Sequence, residues 1–349
     1  MCNKYIHIGY PKNLSTTLQV DYFSKHSDIY HLGTGFGHNT GYRDNILEGY
    51  LENILFYSNE LMYQDIKNEI ITHIKKHYSL FNKSNKRAFG LSLEHISFSF
   101  TPADADIYIK FKRLREIFGK DTKIIAIIRR QDELIKSLYR ESIRIGYPYS
   151  FKEYLDFLFY YQNYSYLLEI NYDKVLNLLY KLFDIENIEF IPIEKYRDKS
   201  GKLKVNNKNQ ILLTSKLNSI LGISNQDIIL NHHNPTLKPT VLYHKLQLNR
   251  KFKHDLGNSI YEPVQKHRLK EYFNQILDSD VTNIYSDVKQ KRLSIELAKE
   301  LAKNDAREID YYADLKILEK LKKMFIESNK RLVKKYNIDL PECYFNIKF

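Results

Sequence analysis

The chain has 349 residues, 43% hydrophobic and 28% charged. That is ample apolar material for a large core and too much for a disordered polymer. Lys and Arg outnumber Asp and Glu by 54 to 42, a formal charge of +12, which favours an anionic partner without choosing among nucleotide, polyanionic glycan, nucleic acid and membrane surface. Cys2 and Cys343 give neither a metal-ligand spacing nor a disulfide framework. No signal-peptide or transmembrane pattern is visible, so a cytoplasmic location is expected.

Short β-branched runs alternate with amphipathic stretches, which predicts an α/β fold with a parallel β-sheet flanked by helices. Tyr5–Ile8 reads as a strand ending at Gly9 and Pro11, followed by a helix from Ser15 or Thr16 to about Lys25. Ile29–Leu32 is a second short strand, and Gly33–Tyr42 a loop. Helical periodicity covers Asn45–Tyr57 and Tyr63–Phe81, and Arg87–Leu93 is a strand. Asp106–Phe118 is helical. The unbroken apolar run Ile124–Ile128 marks a strand buried on both faces of a parallel sheet. A helix over Asp132–Ile145 is stopped by Gly146, helices follow at Phe151–Tyr161 and Tyr172–Phe183, and Asn187–Ile193 is a strand. Beyond Gly201 strands are scarce. Asn207–Leu221, Thr240–Lys253, Pro263–Leu277, Arg292–Lys303 and Leu315–Tyr336 read as helices. The expectation is a single domain, residues 1–200 forming the α/β core and 201–349 a mainly helical cap or extension.

Two strings carry chemistry. In YIHIGYPKNLSTTLQ a strand runs through a tight turn into a hydroxyl-rich helix start. Backbone N–H groups and the helix dipole converge on an anion at such a junction. Lys12 adds a full charge, and Ser15, Thr16 and Thr17 add hydroxyls. Walker A spacing is absent, because Lys12 precedes Ser15 by three positions and the required Gly is missing. In KIIAIIRRQDELIKSLYRESIRIG a buried strand ends at Arg129, whose guanidinium suits a phosphate, and the next helix carries Ser137. Either string alone also fits a structural turn or a solvent-facing helix.

Together, in this order, they resemble the PAPS-dependent sulfotransferase family, in particular bacterial members with a P-loop-like fold. Gly9, Pro11, Lys12, Ser15, Thr16 and Leu18 match the family's 5′-phosphosulfate loop, with Thr17 at its free position. Asn13 and Leu14 replace its usual Ser/Thr-Gly pair. Arg129, Ser137 and Tyr139 match its 3′-phosphate motif, with Arg130 and Gln131 in place of Asn-Pro. The resemblance implies PAPS as co-substrate, PAP as product, an acceptor such as a glycan or glycolipid, and Lys12 neutralising charge on the leaving phosphate. Pro11, Lys12, Asn13, Leu14, Ser15, Thr16, Thr17, Arg129 and Ser137 would hold the nucleotide.

The family's general base is Glu or His, often just beyond a middle strand. Glu94 is the first candidate here and His95 the second, against the alternative that Glu94 ends a strand and His95 is a surface residue. His31, His38 and Glu48 form a third set. Their spacings match no common ligand pattern, and no metal is expected. His233-Asn234-Pro235-Thr236 and Leu248-Asn249-Arg250 are similar to a C-terminal loop and helix of bacterial members, with Lys238 or Arg250 placed to close over the nucleotide or simply solvated. The last helix, FIESNKRLVKKYNIDL, is similar to the family's end and reads as structural. No nucleic-acid partner is expected. The competing readings are a P-loop-like nucleotide kinase or NTPase, which the missing Walker A loop disfavours, and a non-catalytic polyanion-binding protein.

Overall fold

The computed structural model describes residues 3–34, 43–55, 58–98, 105–162, 165–207, 209–231, 236–251 and 294–349. Within them a five-stranded, all-parallel sheet runs β1 (Asn3–His7), β2 (Ile29–Thr34), β3 (Ala88–Ser92), β4 (Lys123–Ile128) and β5 (Ile188–Pro192), in spatial order β2-β3-β1-β4-β5. The expected α/β class is the one observed.

Helix α1 begins as Ser15–Thr17 and continues as a wider π-helical turn over Leu18–Phe23. Helix α2 does the same over Asn45–Glu48 and Gly49–Leu55. The other helices are α3 (Glu60–Asn82), α4 (Ile107–Phe118), α5 (Gln131–Ile145), α6 (Phe151–Tyr160), α7 (Tyr172–Leu182), α8 (Leu212–Leu221), α9 (Pro239–Lys251), α10 (294–304) and α11 (Leu315–Tyr336). Local signals set several ends. Asn59, Asp106 and Asp314 accept hydrogen bonds from first-turn N–H groups, and Ser150 with Glu153 makes a capping box.

Helix α8 starts at Leu212, later than the periodicity from Asn207 predicts. The preceding residues make antiparallel bridges, Arg197 with Leu203 and Val205 with Ile211. Lys204 N–H donates to the Tyr196 carbonyl, Asn206 N–H to the Gln210 carbonyl and Leu212 N–H to the Lys204 carbonyl, so these groups serve a small ribbon and not a helix. The helix read over Pro263–Leu277 lies outside the described residues.

Alternation along the strands separates two apolar layers. Ile124, Ala126 and Ile128 of β4 face the larger layer, with Ile6, α4, α5 and α7. Ile125 and Ile127 face the smaller one, with Tyr5, Leu18, Tyr22 and Phe23 of α1 and Leu213, Leu217 and Leu221 of α8. The helix after β1 and the helix after β4 therefore lie on opposite faces of the sheet. Adjacent strands whose connections diverge in this way open a crevice at their C-terminal ends, the place where open α/β sheets bind ligands.

The C-terminal helices pack into the larger layer. Leu242 and Leu246 of α9 and Ile317, Leu321, Phe325 and Leu332 of α11 share it with the sheet. Polar contacts add specificity: Ser328 donates to Asp173 at 2.5 Å and the Arg331 guanidinium pairs with it at 2.6 Å. Asn329 exchanges hydrogen bonds with Gln131, the first residue of α5, at 2.8 and 3.1 Å. Phe325 is fully buried. Phe325→Ala is expected to lower the unfolding free energy by about 3–5 kcal/mol in urea denaturation followed by circular dichroism. A loss below about 1 kcal/mol would mean that α11 does not share the core of the sheet.

Candidate functional site

The site is built on the two loops that leave β1 and β4. Parallel pairing sets Ile6 against Ile124 and His7 against Ile125, and β4 runs on past the end of β1 to Ile128, so Arg129 leaves the sheet beyond the level at which the β1 loop begins. The loop after β1 then turns through residues of alternating handedness. Lys12 has φ 65° and Leu14 φ 66°, while Asn13 and Ser15 stay on the ordinary side. Such alternation turns successive N–H groups toward one concave side and makes an anion-binding nest. Leu14 is the first flank of α1, whose N-terminus has no side-chain cap, so the nest and the helix dipole act at one point.

Leu14 stands where the resembled family carries glycine, and it adopts the left-handed conformation that glycine takes freely. A non-glycine residue there costs about 1–2 kcal/mol. Surrounding contacts hold the loop in place. Asn13 donates to the Ile127 carbonyl at 2.9 Å, and Ser15 donates to the Tyr10 carbonyl at 2.9 Å. Leu14 packs on the smaller apolar layer. Gly9 is required where the loop folds back, since a Cβ there would stand 2.8 Å from Ser15 Oγ and 2.9 Å from His7 Cε1.

Arg129 closes the crevice from the β4 side. Its Nη1 donates to the Lys12 carbonyl at 3.3 Å, and its Nη2 pairs with Glu133 at 3.4 Å. The Tyr172 hydroxyl donates to the Arg129 carbonyl at 2.7 Å and fixes its backbone. Lys12 Nζ meets Glu141 at 3.3 Å. Glu133, Ser137 and Glu141 are four residues apart, hence on one face of α5. Buried Ser137 lies between the acid that holds Arg129 and the acid that holds Lys12. The segments around Lys12, Arg129 and Ser137 thus share one crevice.

Glu94 joins them from the turn Glu94–Ile96 that follows β3. The Ser15 hydroxyl and Lys12 both act on its carboxyl. Burial pushes that carboxyl above its ordinary range. His95, Ser15 and Lys12 pull it down without cancelling the effect, and Glu141 adds to the rise. His95 is half-buried, and its carbonyl accepts from Lys110 Nζ at 2.8 Å.

Other candidates stand elsewhere. His31 is a core residue of β2, its Nδ1 2.9 Å from the Tyr5 hydroxyl. Burial, with Arg43 and His7, lowers its pKa to about 3, so it is a neutral packing group. Glu48 ends the first turn of α2. His38 and His233–Pro235 lie outside the described residues. The chain leading toward that segment is tied to α1, since Thr17 donates to the Asn231 carbonyl at 3.1 Å and Asn231 N–H donates to Asp21 at 2.8 Å. Asn249 and Arg250 serve the end of α5: Asn249 donates to the Ile143 and Tyr147 carbonyls at 2.8 and 3.0 Å, and Arg250 Nε to the Pro148 carbonyl at 3.1 Å. Lys238 is exposed.

Sequence reading missed Arg197. It follows β5 and stands near enough to Arg129 for the two charges to interact. Burial, then Arg129, lowers its pKa, with Glu194 opposing. Its Nε is buried and finds no hydrogen-bond acceptor among the described residues. Arg197 sits in the charged run EKYRDKSGK, which reads as a solvated turn.

The raised Glu94 pKa has a stability consequence. Between the unfolded and folded values the native state holds the extra proton, so stability falls as pH rises through that window. Glu94→Gln removes this loss. Its stability relative to the parent should therefore increase as pH climbs above about 4.3, the ordinary glutamate value, in denaturation at a series of pH values. A pH-independent difference would contradict the burial of the carboxyl.

No protein-family model matches the chain, and no curated protein matches it. Among solved structures it is similar to a sulfotransferase from Alicyclobacillus acidocaldarius, with a TM-score of 0.42 and 16% identity, covering 72% of this chain and 92% of that one.

Proposed function

We propose that the chain is a sulfotransferase that moves the sulfuryl group of PAPS to a hydroxyl or amine, releasing PAP, with a glycan or glycolipid as the class of acceptor. The observation that carries the reading is the meeting of two phosphate-type sites in one crevice, a cationic nest after β1 and Arg129 after β4, joined by the hydrogen bond from Arg129 to the Lys12 carbonyl. A nucleotide with phosphate groups at both ends of its ribose suits such a pair of sites. The cytoplasmic location expected from the sequence belongs to the same proposal; no helix among the described residues is long and apolar enough to cross a membrane.

In this reading the nest of Pro11, Lys12, Asn13, Leu14 and Ser15 with Thr16 and Thr17 holds the 5′-phosphosulfate. Arg129 and Ser137 hold the 3′-phosphate, and Arg197, with its unsatisfied Nε, is an added contact on that side. Glu94 takes the acceptor proton as the acceptor lone pair forms its bond to sulfur. The sulfur–oxygen bond to the 5′-phosphate breaks, its electron pair stays on PAP, and Lys12 neutralises the charge that develops there. A carboxyl raised toward the working pH is a better proton acceptor than an ordinary one. His95, its chain neighbour, is the second candidate for this role.

Purified protein is expected to gain thermal stability from PAP and not from ATP with Mg²⁺, because a ligand of the native state stabilises by mass action. Lys12→Ala should lower sulfuryl transfer from PAPS by ~10²–10³-fold or more. Arg129→Ala and Arg197→Ala should each weaken PAP binding by ~10–100-fold, the worth of a charged hydrogen bond. Stabilisation by ATP with Mg²⁺ alone would instead favour the nucleotide kinase or NTPase. Salt-sensitive heparin binding without a PAP response would favour the polyanion binder.

A further inference from the structure

Away from the crevice, a side chain from the turn before α2 converges with two from α3. Asp44 stands immediately before α2, and His73 and His77 lie four residues apart on α3, one turn above the other on the same face. His73 Nε2 is 3.1 Å from Asp44 Oδ2, and His77 Nε2 is 2.8 Å from the same oxygen. One donor atom from each of the three residues lies within 4.8 Å of the others. This set differs from the His31, His38 and Glu48 group considered in the sequence.

Both imidazoles aim the same nitrogen at one carboxylate oxygen, and the other groups around them are already committed. Asp44 Oδ1 accepts the Leu47 N–H at 2.8 Å and is also 3.2 Å from His73 Nε2, while Oδ2 faces both histidines. The second nitrogen of His77 has its own partner, the Tyr30 hydroxyl at 3.2 Å from Nδ1. Metal-ligating histidines carry such an outer partner, which sets ring orientation and tautomer. Arg43 stacks over the Tyr30 ring at 3.8 Å and gives its Nε to the His31 carbonyl at 2.6 Å. Bonds of about 2.0–2.1 Å in a tetrahedral zinc site place neighbouring donors about 3.3 Å apart. The two nitrogen–oxygen separations are close to that edge, and with all three donors within 4.8 Å of one another side-chain adjustment alone can bring them around one ion. Two imidazoles and one carboxylate are a zinc-type donor set, and His residues at i and i+4 of a helix are a common way to supply it.

We propose that Asp44, His73 and His77 form a binding site for a divalent transition metal of the zinc class, with remaining coordination from water. The bound ion fastens the start of α2 to α3 and, through Tyr30, to β2. This proposal is independent of the reaction assigned to the crevice.

The test uses untagged full-length protein stripped with EDTA and titrated with Zn²⁺ against a chromophoric chelator, then with Co²⁺ followed by visible absorption. The site predicts one equivalent of Zn²⁺, the intense absorption of tetrahedral Co²⁺, and a higher melting temperature with Zn²⁺. His73→Gln and Asp44→Asn should each abolish stoichiometric binding, with far-UV circular dichroism confirming a folded chain. Tyr30→Phe retains every ligand and should weaken Zn²⁺ binding by ~10–100-fold, as loss of an outer partner does. Absence of stoichiometric binding in the folded parent overturns the proposal, as does binding that both His73→Gln and Asp44→Asn leave intact.

Discussion

The hydrogen bond from the Arg129 guanidinium to the Lys12 carbonyl is the contact on which the candidate site depends. It exists because β1 and β4 are parallel neighbours, with their following helices on opposite faces. It brings two cationic side chains to one place, an arrangement the chain tolerates because each is also paired with a carboxylate of α5. The β4 end is braced from behind. Glu194 accepts the Arg130 N–H at 3.0 Å and the Tyr344 hydroxyl at 2.6 Å, and Tyr344 is fully buried. The C-terminal segment that carries Tyr344 thereby helps to aim Arg129, although it stands outside the crevice.

The loop after β1 shows how strain is held in such a place. Two left-handed non-glycine residues, Lys12 and Leu14, cost about 1–2 kcal/mol each. Against this stand two loop hydrogen bonds worth about 1 kcal/mol apiece, from Asn13 and Ser15, and the apolar packing of Leu14 on the smaller layer. Strained conformations persist where the surroundings over-determine them, and they gather where backbone N–H groups must point at a ligand. Asn13 shows the same compromise: its amide nitrogen is bonded, while its Oδ1 is buried with no partner among the described residues.

Much of this was legible in the sequence, and the reason differs by element. The run Ile124–Ile128 could be read as a doubly buried strand because both of its faces are apolar. Leu315–Tyr336 could be read as one helix because one stripe of it is apolar, and Asp314 caps its start. Lys12 and Arg129 stood out because each follows a strand directly. Other features depend on pairing between distant segments, which a linear reading does not contain. Arg197 looks like one more cation in a charged turn until β5 is placed beside β4. His73 and His77 look like the polar positions of an amphipathic helix until Asp44 is brought to them. His31 reads as a candidate base, yet β2 carries it into the core beside Tyr5, where only a neutral ring fits.

In the proposed function the acids of α5 decide how a phosphate group can enter. Glu141 shares Lys12 with nothing to lose, because Arg144 Nε holds both of its oxygens, at 2.9 and 3.0 Å. Burial raises the Glu141 carboxyl, but Arg144 and Lys12 outweigh it and keep it below its ordinary range. Glu133 likewise has Arg130 at 3.3 Å in addition to Arg129. A carboxylate left buried without a partner would cost more than a new phosphate contact could return. Here each acid has a second cation outside the crevice. Lys12 and Arg129 can therefore exchange a carboxylate for a phosphate while both glutamates remain paired. The same glutamates keep two neighbouring cations from repelling each other, so helix α5 is what lets the two sites stand side by side.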